Sequence, residues 1–374
     1  MDIEKFGVEE WMNEFENYAR YNIAETCVDS LSVSELLKLD GTEDKFYSEL
    51  AEMKLTYGAI PGSDALRSEV TKLYHTKKTT DNVLITNGGI GANFLALFTL
   101  IRPGDEVIAL YPTYQQLYSL PAAFGADVKR MRLKAENSFM PDMDELRSLV
   151  TDKTRAIILN TPNNPTGACF GEKIMREIAE IADKVGAWVM CDEIYRGLEH
   201  DGSYSVPSIA DIYDKGIGTS SVSKVYSLAG LRLGWITAPE AFIKECFSHR
   251  DYNTISCGMI DDALALIALR NRDKIIERNL DILRENKKVL MEWVNKTEGM
   301  SVVEPKAGTT ALVKYDYPME SEEFCRKLFA YNGTFVVPGS CFEFENHFRV
   351  GYAPAKSVLK EGLEAFSEFL GTLK

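Results

Sequence analysis

Short apolar and β-branched runs alternate along the chain with stretches of helical period. Val83–Thr86, Glu106–Leu110, Ala156–Asn160, Trp188–Cys191, Gly216–Ser220 and Leu233–Thr237 have the length and residue choice of buried strands. Between them Ala92–Ile101, Tyr114–Ala123, Met143–Val150 and Glu172–Val185 read as helices. In the last of these Ile174, Ile178 and Ile181/Ala182 fall on one side. This alternation predicts an α/β fold with a mostly parallel central sheet between helices. From Ile260 to Lys296 charges recur at nearly every turn, which predicts a long helix with a solvated face, suited to linking a large domain to a small one. Further on, Thr310–Lys314, Thr334–Val337 and Phe348–Gly351 read as strands between helices, as in a small α+β domain.

Composition narrows the possible functions. The 374 residues carry 42 Lys plus Arg against 56 Asp plus Glu, a net charge of −14 that repels phosphate backbones and argues against nucleic acid as a partner. Function is therefore expected in a pocket. Seven cysteines (27, 169, 191, 246, 257, 325 and 341) are scattered without a C-x-x-C pair, so reduced thiols are expected, not a disulfide framework or a zinc site. The four histidines (75, 200, 249 and 347) have no metal-ligand spacing, and no metal is expected. No stretch approaches a membrane span, and MDIEKFGVEEWMNEF lacks the basic and apolar regions of a signal peptide. A cytoplasmic protein with no membrane partner is the expectation.

Four segments bear chemistry. Ile85-Thr-Asn-Gly-Gly-Ile-Gly-Ala-Asn93 is a strand entering a glycine-rich turn, which reads either as a structural β-to-α connection or as backbone N–H groups presented to an anion at a helix start. Phe94 stands where a dinucleotide fingerprint needs its third glycine, and no Walker lysine follows Gly91. Asn160-Thr-Pro-Asn-Asn-Pro-Thr-Gly167 is a proline-stiffened loop at a strand's carboxyl end, where open α/β sheets bind ligands. Val189-Met-Cys-Asp-Glu-Ile-Tyr195 ends a buried strand in two carboxylates, which serve either a structural ion pair or a ligand. Ser221-Val-Ser-Lys224-Val-Tyr-Ser-Leu-Ala-Gly-Leu-Arg232-Leu-Gly-Trp235 sets one lysine among small hydroxyl residues with an arginine eight positions later. A lysine beside another cation releases its proton more readily, which suits it to Schiff-base chemistry.

In this order and at these separations the four segments resemble the class I/II aminotransferases, pyridoxal-phosphate enzymes of fold type I and aspartate-aminotransferase-like, over about residues 57 to 353. The S-x-S-K-x-x-x-L-x-G-L-R-x-G-W string is among the family's most specific motifs. The resemblance implies that Lys224 binds pyridoxal 5'-phosphate as an internal aldimine and moves the Cα proton, while Asp192 pairs with the ring nitrogen. It implies that Asn164 and Tyr195 donate to the ring 3′-oxygen and that Tyr114 stacks on the ring. Gly89, Ile90, Ser221 and Arg232 would hold the phosphate, joined by Tyr57 from the neighbouring subunit of a homodimer with a shared active site. Arg349, in His347-Phe-Arg-Val-Gly-Tyr-Ala353, would clamp the substrate carboxylate beside Asn164. The domains implied are a large cofactor-binding body over residues 45–280 and a small one from residues 1–44 with 281–374.

Two departures bear on substrate. Where the family has a Gly-x-Pro turn this chain reads Asn22-Ile-Ala-Glu-Thr-Cys-Val-Asp29, and Ala307-Gly-Thr-Thr-Ala311 lacks an aromatic that many relatives carry near Thr310. Glu25 and Thr310 are expected to make the pocket polar and suited to a cationic or polar amino acid. The activity implied is transfer of an amino group from an L-amino acid to a 2-oxo acid. The alternative keeps the cofactor and diverts the Cα carbanion to β-elimination, cyclisation or oxidation. A non-catalytic binding module and a nicotinamide-dependent dehydrogenase, the latter resting on Gly89-Ile-Gly91 alone, are the more distant readings.

Overall fold

The computed structural model of the chain describes residues 2–203 and 206–373. Its centre is a seven-stranded sheet in the order Val83–Asn87, Leu233–Thr237, Gly216–Ser221, Trp188–Asp192, Thr154–Asn160, Glu106–Tyr111 and Asp127–Arg132. Only Leu233–Thr237 runs antiparallel to its neighbours. Six of these strands are those the apolar runs predict. Asp127–Arg132 carries four charges in six residues and lies at the sheet's edge, so the apolar signal that marks the buried strands is missing there.

Side chains alternate between two layers. Ile108, Leu110, Ile157, Leu159, Val189 and Cys191 face Met175, Ile178 and Ala182 of the helix Glu172–Val185. Val107, Ala156, Ile158, Met190, Ile217 and Ile236 face Leu97 and Leu100 of the helix Gly88–Leu100. Period-2 alternation between two apolar layers is what a sheet covered on both faces requires.

A second sheet of four antiparallel strands, Val337–Pro338, His347–Gly351, Thr310–Tyr315 and Met300–Val302, lies near the C-terminus. The expected Thr334–Val337 strand is split: Thr334–Phe335 pairs in parallel with Tyr21–Asn22, and Val337–Pro338 joins the four-stranded sheet. The first helix, Gly7–Phe15, packs on this unit. Trp11 donates from its indole nitrogen to the Val336 carbonyl at 2.9 Å, and Phe15 packs edge-on against Phe329.

The long charged stretch is two helices, Met259–Arg270 and Arg272–Lys296, broken at Asn271. It is more than a solvated rod: Ile275, Ile276, Asn279, Leu280, Leu283, Asn286, Leu290 and Val294 make a buried stripe at helical spacing. Asn279 donates to the Val225 carbonyl at 2.9 Å, beside Lys224, and Asn286 donates to the Tyr352 and Pro354 carbonyls at 3.0 and 2.7 Å. The helix thus ties the lysine-bearing loop to the end of the second sheet. Among the described residues no helix is long and apolar enough to cross a membrane.

Candidate active site

Five parallel strands end on one edge of the large sheet, at Asn87, Tyr111, Asn160, Asp192 and Ser221. The segments that follow carry Gly89 and Ile90, Tyr114, Asn164, Tyr195 and Lys224, while Arg232 immediately precedes the antiparallel strand that starts at this edge. All of these line one cavity of about 420 Å³, and Arg349 reaches it from the second sheet. The sheet's carboxyl edge is where the topology opens a crevice for a ligand.

The glycine-rich turn is not a loop. Gly88 to Gly91 form the first turn of the helix Gly88–Leu100, four residues earlier than the apolar pattern predicts. Gly88 has φ +72, and a Cβ on Gly234 would lie 2.6 Å from the Gly89 nitrogen, so a glycine in the adjoining strand is what lets this turn seat against the sheet. The helix start has no side-chain cap and no acid in its first turn. Ser221 lies behind Gly89, 3.5 Å from where a Cβ would stand, and its hydroxyl is occupied by the Ser223 N–H at 3.0 Å. Ser223 itself lines the cavity, as does Arg232, whose guanidinium donates to the Ala229 carbonyl at 2.8 Å. Unsatisfied N–H groups at a helix start, Ser223 and an arginine form a seat for a dianion, with Ser221 buried behind it.

Asp192 and Glu193 resolve the open question about the carboxylate pair. Glu193 is the structural one: it pairs with Arg196 at 3.0 Å and accepts from the Ser208 hydroxyl and the Ile209 N–H, each at 2.8 Å. Asp192 is buried and has no cationic partner among the described residues. It accepts from the Asn93 amide at 2.8 Å and the Ile194 N–H at 3.1 Å. Burial raises its pKa to about 6, against the pull of those two donors. Asn93 is in turn oriented by the Thr219 hydroxyl at 2.6 Å. Sequence reading missed Asn93; its place five residues into a helix that starts at the sheet edge is the signal, visible only once the helix is known to begin at Gly88.

Lys224 donates to the Thr26 hydroxyl at 2.5 Å and the Cys27 sulfur at 3.0 Å. Burial opposes its charge, but Cys27, Tyr195 and Glu25 outweigh burial and hold the ammonium above the ordinary lysine range. This corrects the expectation of a lysine depressed by a neighbouring cation: the groups around the nitrogen are acceptors and acids. Thr26 and Cys27 belong to the segment where the family pattern fails, so that pattern gave no sign of their contact with the lysine.

Arg349 is only 3% exposed, yet it has no carboxylate partner among the described residues. It donates to the Asn164 side-chain oxygen at 3.2 Å and the Ala24 carbonyl at 3.4 Å and lies over the Phe342 ring, while its Nε is buried without any partner. A buried guanidinium with an unused N–H calls for an anion. Asn164 is fixed by its own N–H donating to the Asn160 side chain at 2.8 Å, and Asn160 donates to the Asp192 carbonyl at 2.8 Å. Tyr114 donates to Glu9 at 3.0 Å, and burial raises the pKa of Tyr195.

Two expected residues lie elsewhere. Tyr57 is 71% exposed and does not line this chain's cavity. Thr310 is buried in its strand opposite Gly351 and does not reach the cavity either. Besides Asp192 and Glu25, the acids that line it are Glu9 and Glu16. Together with Val8, Met12 and Asn13 they form one face of the first helix and the turn after it, a spacing legible in the sequence but carrying no motif.

The fold and this residue set define a class of enzyme, and comparison with known proteins agrees. The family model for aminotransferase class I and II matches residues 42–366, and the chain belongs to that family, whose cofactor is pyridoxal phosphate in a fold of type I. Among particular proteins, it is 32% identical over 370 residues to the capreomycidine synthase of Streptomyces vinaceus, covering 98% of this chain and 93% of that one. A PLP-dependent aminotransferase from Streptococcus suis superposes with TM-score 0.96 at 42% identity, covering 100% and 99% of the two chains. The PLP-dependent cyclase OrfR superposes with TM-score 0.91 at 26% identity, also covering 100% and 99%.

The residues present suit the cofactor on physical grounds. The uncapped helix start with Arg232 matches a phosphate, and the buried, cation-free Asp192 matches a protonated ring nitrogen. Lys224 is the amine within the same cavity.

Proposed function

We propose that the protein removes the Cα proton of an L-amino acid and transfers its amino group to a 2-oxo acid. The observation that carries this reading is Arg349, buried with an unpartnered Nε and no carboxylate partner among the described residues, lining the cavity that also holds Lys224. A carboxylate held by Arg349 and Asn164 puts the attached Cα inside that cavity, where an amine can reach it. Pyridoxal phosphate, when bound, supplies the aldehyde that captures the amino group and a ring that stores the electrons released at Cα. Lys224, neutral once the substrate's amino group has taken its place on the cofactor, would be the base that takes the Cα proton and delivers it to the cofactor carbon. Asp192, kept in place by Asn93, holds the ring nitrogen protonated. Asn164 and Tyr195 would hold the 3′-oxygen, Tyr114 would cover the ring, and Gly89, Ile90, Ser221 and Arg232 would hold the phosphate. Tyr57 serves the site of a second subunit, so the working unit is a homodimer.

A second reading, cyclisation or another fate of the Cα carbanion, is favoured by a specific finding. The likeness to capreomycidine synthase runs through the atypical Asn22–Asp29 segment that touches Lys224, and OrfR is itself a cyclase. One experiment separates the two. Under transamination, excess amino donor without an oxo acid converts the bound cofactor stoichiometrically to pyridoxamine phosphate. Under the other chemistries the cofactor returns unchanged and a cyclic product, or ammonia and an oxo acid, accumulates. Lys224→Ala should abolish the absorbance near ~420 nm expected of the lysine-bound cofactor and lower kcat by at least about 100-fold. Undiminished turnover in that variant rules out Lys224 as the base.

A further inference from the structure

Resting on the reading above and deepening it, we propose that the substrate carries a cationic side chain, an ammonium or guanidinium, recognised by Glu9 and Glu16 of the N-terminal helix and adjoining turn, with Glu25 beside them.

Acids in the cavity outnumber the cations that could answer them. Seven charged side chains line the cavity: Asp192, Glu9, Glu16 and Glu25 against Lys224, Arg232 and Arg349. With cofactor and an unreactive acid bound, the three cations would all be engaged, Arg232 by phosphate, Lys224 by the cofactor's aldehyde and Arg349 by the acid's carboxylate. Asp192 is matched by the ring nitrogen. Glu9, Glu16 and Glu25 remain, and among the described residues none of them lies within the 4.0 Å of an ion pair with any lysine, arginine or histidine.

Their placement separates their tasks. Glu25 accepts the Thr26 and Cys27 N–H groups, both at 2.7 Å, and lies close enough to Lys224 for the two charges to stabilise each other, so it belongs to the amine end of the cavity. Glu9 and Glu16 stand seven residues apart on one helical face with Met12 between them. Glu9 also accepts from the Tyr114 hydroxyl at 3.0 Å, the residue expected over the ring. The pKa of Glu16 is raised, first by burial and then by Glu25 and Glu9, and neither the Asn22 side chain nor the charge of Lys224 brings it back to the ordinary range. Arg349, 3% exposed, lining the cavity, with an unpartnered Nε and no carboxylate partner among the described residues, is the independent sign that a ligand binds here, and it marks the end that takes the ligand's carboxylate. A distal cation then meets Glu9 and Glu16, whereas a distal carboxylate meets three acids.

The test uses the cofactor-loaded enzyme and three unreactive acids that share one carboxylate and four methylenes: 5-guanidinopentanoate, hexanoate and adipate. Binding is read by calorimetry, independently of turnover. The guanidino acid should bind at least about tenfold more tightly than hexanoate, and adipate should bind most weakly. Glu9→Gln and Glu16→Gln should each cut the preference for the guanidino acid about five- to twentyfold while leaving hexanoate within about twofold. Equal affinities, the reverse order, no binding of any probe, or a preference insensitive to both variants overturns the proposal. If the chain takes up no cofactor on Lys224, the reading of the function itself fails. Normal loading with the wrong order of affinities sinks only the cationic substrate.

Discussion

At the scale of single residues, the site is marked by charges that the protein itself leaves unanswered. Asp192 and Glu193 are neighbours at the end of one strand, yet among the described residues Glu193 has Arg196 and Asp192 has only neutral donors. The folded pKa of Asp192, about 6, lies above its ordinary value of 3.8. The folded, cofactor-free chain therefore holds this proton more tightly than the unfolded one, and stability falls as pH rises from 3.8 to about 6, by up to about 3 kcal/mol. Asp192→Asn removes that loss. Thermal melts without cofactor should show the variant more stable than the wild type at pH 7, with the gap closing toward pH 4; a constant gap contradicts the assignment. Arg349→Lys keeps the charge and loses the planar fork, so KM for amino acids should rise about 10- to 100-fold with a smaller change in kcat. Steady-state kinetics check this, and an unchanged KM excludes Arg349 as the carboxylate clamp. That an arginine and two acids matter was legible in the sequence. Which acid is paired and which is not depends on Arg196 and Asn93, and chain order does not tell them apart.

At the scale of elements, the N-terminal helix is a wall of the cavity held from two sides. Trp11 fastens it to Val336, while just ahead of it the Gly7 N–H donates to the Gln115 side chain at 2.8 Å and Gln115 donates to the Lys5 carbonyl at 2.7 Å. Trp11→Ala should cost about 3 kcal/mol through the lost indole packing and leave the helix loosely held. Amide exchange over residues 7–18 should accelerate more than in the central sheet, and substrate KM should rise. Uniform exchange throughout the chain would place the damage in the core instead. The apolar pattern predicts the central strands well because each is buried on two faces. It fails at the edge strand Asp127–Arg132, and it places the start of the Gly88–Leu100 helix too late. Glycine has poor helix propensity, and at Gly88–Gly91 the packing of Gly234 and the sheet overrides it.

At the scale of the whole molecule, exposed apolar side chains stand where a second copy is proposed to bind. Leu55 and Tyr57 are 82% and 71% exposed, and Gly58 sits against Cys257 and Met259, next to the segment bearing Ile255 and the 92% exposed Tyr252. If Tyr57 completes the neighbouring site, Tyr57→Ala and Lys224→Ala complement each other. Mixed after unfolding and refolding, half the dimers are mixed and one of their two sites is intact, giving about a quarter of wild-type activity. No recovery on mixing places Tyr57 outside the partner's site. Local sequence was enough for the α/β order of strands and helices and for the family, because buried strands and reactive loops need particular residues at fixed local spacing. Tertiary packing alone shows that Asp192 has no cationic partner among the described residues, that Thr26 and Cys27 accept from Lys224, that Thr310 is remote from the cavity and that Glu9 and Glu16 line it. These relations join residues up to about 200 positions apart, and such contacts are set by the packing of the second sheet and the first helix over the sheet edge, which no local pattern records.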